Sequence, residues 1–141
     1  DNIHRIRGEE DPDKESNRYS LEIQNHLVLR KNPNFVFDWV LMGLGMDGHI
    51  ASIFPGQEHL VSSQEFCGST QHPETGQNRI SLTLAAFKKA ACISYHAVGP
   101  DKAKIISELV SKSPASKKYP ASHDPGEWYL DKASASSLDF I

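Results

Sequence analysis

An apolar segment that runs directly into a glycine-rich loop is the strongest constraint on the fold of this chain. Aromatic and branched side chains predominate from residue 35 to residue 42, as in a strand that is buried on both faces of a parallel sheet. The loop Gly43-Leu44-Gly45-Met46-Asp47-Gly48-His49 follows at once. Open α/β sheets hold their ligands at the carboxyl ends of parallel strands, so this loop is predicted to be functional.

Strand-like and helix-like segments alternate along the rest of the sequence. Asp11 and Pro12 are typical of a helix start, and the apolar stripe of Tyr19, Ile23 and Leu27 follows them. Further strands are predicted at residues 79–84, 90–98 and 127–130, and further helices at 85–89 and 102–110. The polar segment 57–77 lacks periodicity and is predicted to be a long surface loop. This alternation predicts an α/β domain with a mostly parallel sheet.

Composition narrows the class of protein further. The 141 residues suit one domain, and the net charge of −3 gives no reason to expect nucleic acid as a partner. No apolar run is long enough to span a bilayer, and residues 1–5 lack the apolar region of a signal peptide. Cys67 and Cys92 are expected to be buried thiols, although their spacing leaves a disulfide open. These features predict a cytoplasmic protein without a membrane partner.

The glycine spacing raises one alternative, a dinucleotide-binding loop. Gly43, Gly45 and Gly48 match the Gly-x-Gly-x-x-Gly spacing of that loop. That fingerprint requires a full helix directly after the last glycine, because the helix aims its N-terminus at the pyrophosphate. Pro55 and Gly56 limit any helix here to about one turn, from His49 to Phe54. The dinucleotide interpretation is therefore disfavoured.

A catalytic interpretation uses every part of the loop. Glycines allow backbone amides to approach a ligand closely. His49 is expected near the N-terminus of the short helix, where the helix dipole disfavours the imidazolium and leaves a neutral base. Asp47 then orients the base or contacts substrate hydroxyls. The structural alternative is a turn in which both side chains merely bond to backbone groups.

Several segments in a fixed order resemble one known family. They are residues 41–56 (LMGLGMDGHIASIFPG), 78–84 (NRISLTL), 99–103 (GPDKA), 119–122 (YPAS) and 128–131 (WYLD), with 2–6 (NIHRI) before them. On these segments the chain resembles the glucosamine-6-phosphate isomerase/6-phosphogluconolactonase family. The resemblance implies a three-layer Rossmann-like α/β fold.

The resemblance also implies an activity and a set of site residues. The implied reaction is hydrolysis of 6-phosphogluconolactone to 6-phosphogluconate in the pentose phosphate pathway, without metal or cofactor. His49 matches the family's general base, and Asp47 belongs to the same motif. Arg79 and Lys102 match positions that the family uses for the substrate phosphate. The remaining substrate-binding candidates are Gly45, Gly48 and Arg5.

One short segment separates the two branches of the family. The deaminase branch follows its His-x-Ala with Phe-Asn-Glu, and that glutamate takes part in catalysis. This chain has Ser52-Ile53-Phe54 there, without an acid. The lactonase branch is therefore favoured, and a deaminase-like sugar-phosphate isomerase is the alternative.

One part of the family pattern has no counterpart in these residues. The first half of the family domain carries a Gly-Gly-Ser-type phosphate loop and an Asp-Glu-Arg segment, and neither is found in this sequence. We therefore expect residues 1–141 to form a single incomplete domain, the C-terminal part of the family domain. Its expected partners are a sugar-phosphate lactone and a further N-terminal segment of the same protein. A noncatalytic sugar-phosphate-binding remnant is the alternative.

Overall fold

Helices and strands alternate through the protein, as expected. The computed structural model describes residues 2–27, 37–123 and 125–138. In chain order the elements are α1 (Pro12–Leu27), β1 (Val40–Gly43), α2 (Glu58–Ser62), β2 (Cys67–Gln71), β3 (Asn78–Leu82), α3 (Leu84–Phe87), β4 (Ile93–Ala97), α4 (Ala103–Val110) and β5 (Glu127–Leu130). Short 3-10 helices add Pro100–Lys102, Pro114–Lys118 and Pro120–His123.

A parallel sheet forms the centre of the fold. Its strands lie in the order β1-β4-β5, with Met42 opposite Tyr95 and Tyr95 opposite Trp128. Helix α4 buries Ile105 and Ile106 against the face of the sheet that carries these residues. The Tyr95 and Trp128 rings stack with their centroids 4.4 Å apart. The predicted α/β class with a mostly parallel sheet is confirmed.

The prediction that the first strand is buried on both faces is wrong. Leu41 is 60% exposed and Trp39 is 61% exposed. The reason is that β1 lies at an edge of the sheet, and the described residues leave its second face open to solvent. The strand is also shorter than predicted, since Phe37 makes only an isolated bridge to Ala90. Residues 35 and 36 lie outside the described part of the chain.

The segment 57–77 is not a long loop. It contains α2 and β2, and β2 pairs antiparallel with β3 in a separate hairpin, which we call the β2–β3 hairpin. Gly68 explains why sequence periodicity missed the strand, because a Cβ there would lie 2.5 Å from the Leu60 side chain. The strand therefore requires a small residue where an apolar one would have indicated a buried face.

Helix α1 begins as predicted. The side chain of Asp11 accepts the backbone N–H of Lys14 at 3.0 Å, which caps the helix. Its apolar stripe places Ile23 in a cluster with Phe66 and Ala86, and Tyr19 and Leu27 pack against that cluster. The predicted stripe is thus confirmed over the described residues.

A buried carboxylate joins the N-terminal segment to α1. The Glu15 side chain is 1% exposed and accepts the Arg7 backbone N–H at 2.8 Å and the Arg18 Nε–H at 2.6 Å. The Arg18 hydrogen bond is the largest cause that lowers the pKa of Glu15, to about 2, against the opposing effect of burial. Glu15 therefore holds the segment before α1 in place.

We expect Glu15→Gln to lower the free energy of unfolding by about 2 kcal/mol at pH 7, the scale for losing charged hydrogen bonds at a buried group. The exposed Glu10→Gln is the matched control and should change little. Because the folded pKa lies below the unfolded value, the contribution of Glu15 is complete above pH 4.5 and is lost as the pH falls towards 2. Urea unfolding at pH 7 and pH 3 measures both effects. An equal difference between wild type and variant at the two pH values would contradict this assignment.

Candidate active site

The loop after β1 folds back on itself and brings two side chains together. The Gly45 N–H donates to the His49 carbonyl at 2.9 Å, and the Gly48 N–H donates to the Gly45 carbonyl at 3.1 Å. Within this closed turn, His49 Nδ1 lies 2.6 Å from Asp47 Oδ1. The His49 backbone N–H donates to the same oxygen at 3.2 Å. Asp47 and His49 therefore form one hydrogen-bonded unit at the carboxyl end of β1.

This hydrogen bond determines which imidazole nitrogen is available for chemistry. An ionised carboxylate only accepts hydrogen bonds, so His49 Nδ1 donates to Asp47 and Nε2 carries the lone pair. Burial raises the pKa of Asp47, but hydrogen bonds from the His49 backbone and ring outweigh it, and the net pKa is lowered. The His49 side chain is 32% exposed, so water reaches it. A neutral imidazole with an oriented lone pair is suited to general-base chemistry near pH 7.

Two glycines of the loop are required for different physical reasons. A Cβ on Gly45 would lie 2.1 Å from His49 Nδ1 and 2.6 Å from Asp47 Oδ1, so the hydrogen-bonded pair occupies the space of a side chain. Gly48 has a φ of +84°, in the region that favours glycine, and its Cβ would lie 2.6 Å from the Tyr119 side chain. The Asp47–His49 pair therefore explains the need for glycine at residue 45, and the backbone conformation and the Tyr119 contact explain it at residue 48.

The predicted helical turn from His49 to Phe54 is wrong. Ile50 and Ile53 instead form an isolated bridge around a tight turn, in which Ala51 has a φ of +50°. This left-handed residue reverses the chain and allows both isoleucines to be fully buried. In the described part of the chain no helix begins at His49, so the orientation of its ring comes from side-chain contacts such as that with Asp47.

Phe54 beside His49, and His72 beside Phe54, were not predicted as parts of the site. The Phe54 ring centroid lies 4.7 Å from that of His49, and the His72 ring centroid lies 5.1 Å from that of Phe54. The sequence places Phe54 at the end of a predicted short helix and in the segment that separates the family branches, and it places His72 in a predicted surface loop. Their spacing in the sequence carries no signal of these contacts, since the β2–β3 hairpin that positions His72 was itself missed.

Arg79 lies beside the continuation of the same loop. It is part of β3 and lines a cavity of about 430 Å³ together with Ile6, Pro12 and Ser52. Ser52 is joined to β3, because its backbone N–H donates to the Ser81 hydroxyl at 3.1 Å. The structure thus brings Arg79 to the segment that follows His49.

Lys102 and Arg5 occupy different surroundings. Lys102 ends the 3-10 helix that follows β4. Because β4 is the parallel neighbour of β1, the loops after the two strands both leave from the carboxyl ends of the strands. Arg5 makes a bidentate ion pair with Glu9, at 3.0 and 2.6 Å, on the protein surface. The guanidinium of Arg5 is therefore engaged by Glu9, and its assignment to the substrate pocket stays a prediction.

Metal-binding clusters and membrane-spanning helices are both absent from the part of the chain that the structure describes. No group of at least three His, Cys, Asp or Glu side chains there is arranged to hold a metal ion. No helix among the described residues has both the length and the apolar character needed to cross a bilayer. Cys67 and Cys92 are both free thiols, but only Cys67 is buried as expected, and Cys92 is half-buried. Burial is the main cause that raises the pKa of Cys67, to about 12.

Comparison with known proteins shows the family to which this chain belongs. Residues 1–126 match the family model described as glucosamine-6-phosphate isomerases/6-phosphogluconolactonase. A 6-phosphogluconolactonase of Haemophilus influenzae is 39% identical over 98% of this chain and 59% of its own length. The crystal structure of the devB protein superimposes with a TM-score of 0.85 at 38% identity, over 98% of this chain and 59% of that one. The 6-phosphogluconolactonase of Trypanosoma brucei gives a TM-score of 0.71 at 26% identity, over 89% and 53%.

Gly45→Ala should break the Asp47–His49 hydrogen bond, because the new methyl group would occupy the position of the imidazole. Gly43→Ala is the matched control, since nothing lies within 4 Å of a Cβ added there. Nitrogen-15 NMR of the imidazoles should show the hydrogen-bonded Nδ1–H of His49 in the parent and in Gly43→Ala. The same signal should be lost in Gly45→Ala, and its persistence there would contradict the steric argument.

Proposed function

Because the chain belongs to the glucosamine-6-phosphate isomerase/6-phosphogluconolactonase family, we propose that it carries the water-activating group of a 6-phosphogluconolactonase. The reaction is hydrolysis of 6-phosphogluconolactone to 6-phosphogluconate in the pentose phosphate pathway. The observation that supports this most directly is the 2.6 Å hydrogen bond between Asp47 and His49 at the carboxyl end of β1. This position is where open α/β sheets bind their ligands.

The oriented imidazole suggests a complete proton balance for this reaction. His49 Nε2 removes a proton from a water molecule while the water oxygen attacks the lactone carbonyl carbon. The resulting tetrahedral intermediate collapses and breaks the ring C–O bond. The imidazolium then returns its proton to the departing alkoxide, which becomes the sugar hydroxyl. Asp47 accepts from Nδ1 throughout and stabilises the transient positive charge on the ring.

Two cationic side chains are suited to bind the phosphate of the substrate. Arg79 offers a planar fork for two phosphate oxygens, and Lys102 offers a compact positive charge. Gly45 and Gly48 are buried and donate their N–H groups within the loop, so their contact with substrate is proposed from the family resemblance alone. Arg5 joins this set only if substrate displaces Glu9 from its guanidinium.

The proposal extends to the rest of the domain and to its compartment. The chain spans 59% of the length of the Haemophilus influenzae relative, and β1 lies at the edge of its sheet with Leu41 exposed. A further segment of the same domain would cover this face and supply the phosphate loop that the family resemblance implies. Both cysteines are free thiols, as is usual in the cytoplasm, where we place the activity.

We expect His49→Ala to reduce lactone hydrolysis above the uncatalysed rate by about 100-fold or more, the usual contribution of a general base. His123→Ala, at an exposed position, is the matched control and should retain full activity. The measurement is the initial rate of acid release from 6-phosphogluconolactone, with ammonia release from glucosamine 6-phosphate measured in parallel.

The outcomes of this assay separate the alternatives. An unchanged rate in His49→Ala would remove His49 from the mechanism. Ammonia release would favour the deaminase branch instead. Binding of 6-phosphogluconate without any hydrolysis, by this chain and by any longer form of the protein, would indicate a sugar-phosphate-binding remnant.

Arg79→Gln and Lys102→Gln should each raise KM for the lactone by about 10-fold or more, because each removes a charged hydrogen bond to phosphate. The value of kcat should change much less, since neither group moves a proton. Lys104→Gln removes a charge from an exposed position of α4 and serves as the control. Titration with 6-phosphogluconate should show weaker binding by Arg79→Gln and Lys102→Gln than by Lys104→Gln. If Lys104→Gln weakens binding equally, the effect is only one of general charge.

A further inference from the structure

Three aromatic rings stand in a row that begins at His49. The Phe54 ring lies next to the His49 imidazole at 4.7 Å with an interplanar angle of 49°, and the His72 ring meets Phe54 at 5.1 Å with an angle of 66°. Phe54 is only 4% exposed, so its ring is confined by the protein around it. We call these three residues the ring row.

The far end of the ring row is anchored in the β2–β3 hairpin. His72 follows β2 directly, and its backbone N–H donates to the Gln77 carbonyl at 2.9 Å. Its Nδ1 faces the backbone N–H groups of Glu74 and Thr75 at 3.3 and 3.4 Å. Nδ1 therefore accepts, and the ring is held by the loop of the hairpin.

The middle of the ring row is tied to the same hairpin. The Gln57 backbone N–H donates to the Phe54 carbonyl at 3.1 Å, and its side-chain amide donates to the Gln71 carbonyl at 2.8 Å. The turn that carries Phe54 is therefore fastened to the end of β2, next to His72. Phe54 and His72 are held relative to each other by backbone contacts as well as by their rings.

A general base requires more orientation than its partner carboxylate supplies. The hydrogen bond to Asp47 fixes the position of His49 Nδ1 but leaves the ring free to tilt about that contact. A tilt moves the Nε2 lone pair away from the attacking water, and misplacement on the scale of an ångström costs a large factor in rate. Contact of Phe54 with the imidazole restricts this tilt.

We propose that Phe54 and His72 are positioning residues for His49, with His72 holding the Phe54 ring and Phe54 holding the imidazole plane. The β2–β3 hairpin thereby acts on the reaction without touching the reacting atoms. This inference rests on the proposed role of His49 as the base, and it adds the means by which the direction of Nε2 is set.

The first arm of the test removes the ring but keeps an apolar side chain. Phe54→Leu should lower kcat for lactone hydrolysis by about 10-fold or more with little change in KM, because orientation is lost while substrate contacts remain. Phe66→Leu is the matched control, since Phe66 is equally buried in the cluster of Ile23 and Ala86, away from the ring row. Equal losses of kcat in the two variants would reduce the effect to general destabilisation and overturn the proposal.

The second arm tests whether the two residues act in series. His72→Ala should lower kcat, and His72→Phe should restore it, because an aromatic edge against Phe54 is kept. In the Phe54→Leu background, His72→Ala should have no further effect, since its influence passes through Phe54. Additive losses in the double variant would contradict this order.

The third arm does not depend on activity. NMR of the His49 ring Cε1–H should show a shift towards that of an isolated imidazole in Phe54→Leu, from loss of the Phe54 ring current, and a smaller shift in His72→Ala. An unshifted His49 signal in Phe54→Leu overturns the inference, whatever the kinetics show. If parent protein shows no lactone hydrolysis but the His49 signal shifts, the proposed function fails while the ring contact stands.

Discussion

The hydrogen bond between Asp47 and His49 is the interaction on which the rest of the site depends. It selects Nε2 as the basic atom, and it fits only because residue 45 has no side chain. The loop cannot close in this way unless residue 48 adopts a positive φ. The glycines of this loop thus serve the carboxylate and the imidazole.

The loop is held from two directions because it lies where the parallel sheet meets the β2–β3 hairpin. Ile50 and Ile53 anchor it in the main core, together with Met42 and Tyr95 of the sheet. The Gly48 carbonyl accepts the Ala121 N–H at 3.1 Å, and Tyr119, whose ring packs on Gly48, donates its hydroxyl to Glu108. On the other side, Ser52 bonds to Ser81 of the hairpin. A loop supported by both sheets keeps its geometry with few residues of its own.

Sequence patterns predicted the parts of the fold that depend on long apolar runs. The parallel sheet was predicted from such runs. The apolar stripe of α1 was predicted from its helical periodicity, and the Asp11 cap from residue preference. The β2–β3 hairpin was missed because Gly68 packs against Leu60, which removes the alternation that indicates a strand. The prediction of a helical turn at 49–54 was wrong because Ala51 adopts a left-handed conformation that alanine rarely takes, so the sequence did not predict it. The site motif was predictable, but Phe54 and His72 were not, since their contacts depend on that unpredicted hairpin.

The central claim is that Asp47 and His49 act as one catalytic unit, and a double-mutant cycle on kcat tests it most directly. Asp47→Asn, His49→Gln and the double variant would be compared for lactone hydrolysis above the uncatalysed rate. Groups that act as a unit are strongly non-additive, so the double variant should be no slower than His49→Gln alone. Asp47→Asn by itself should be clearly impaired. Losses that simply multiply, or full activity in Asp47→Asn, would contradict the account.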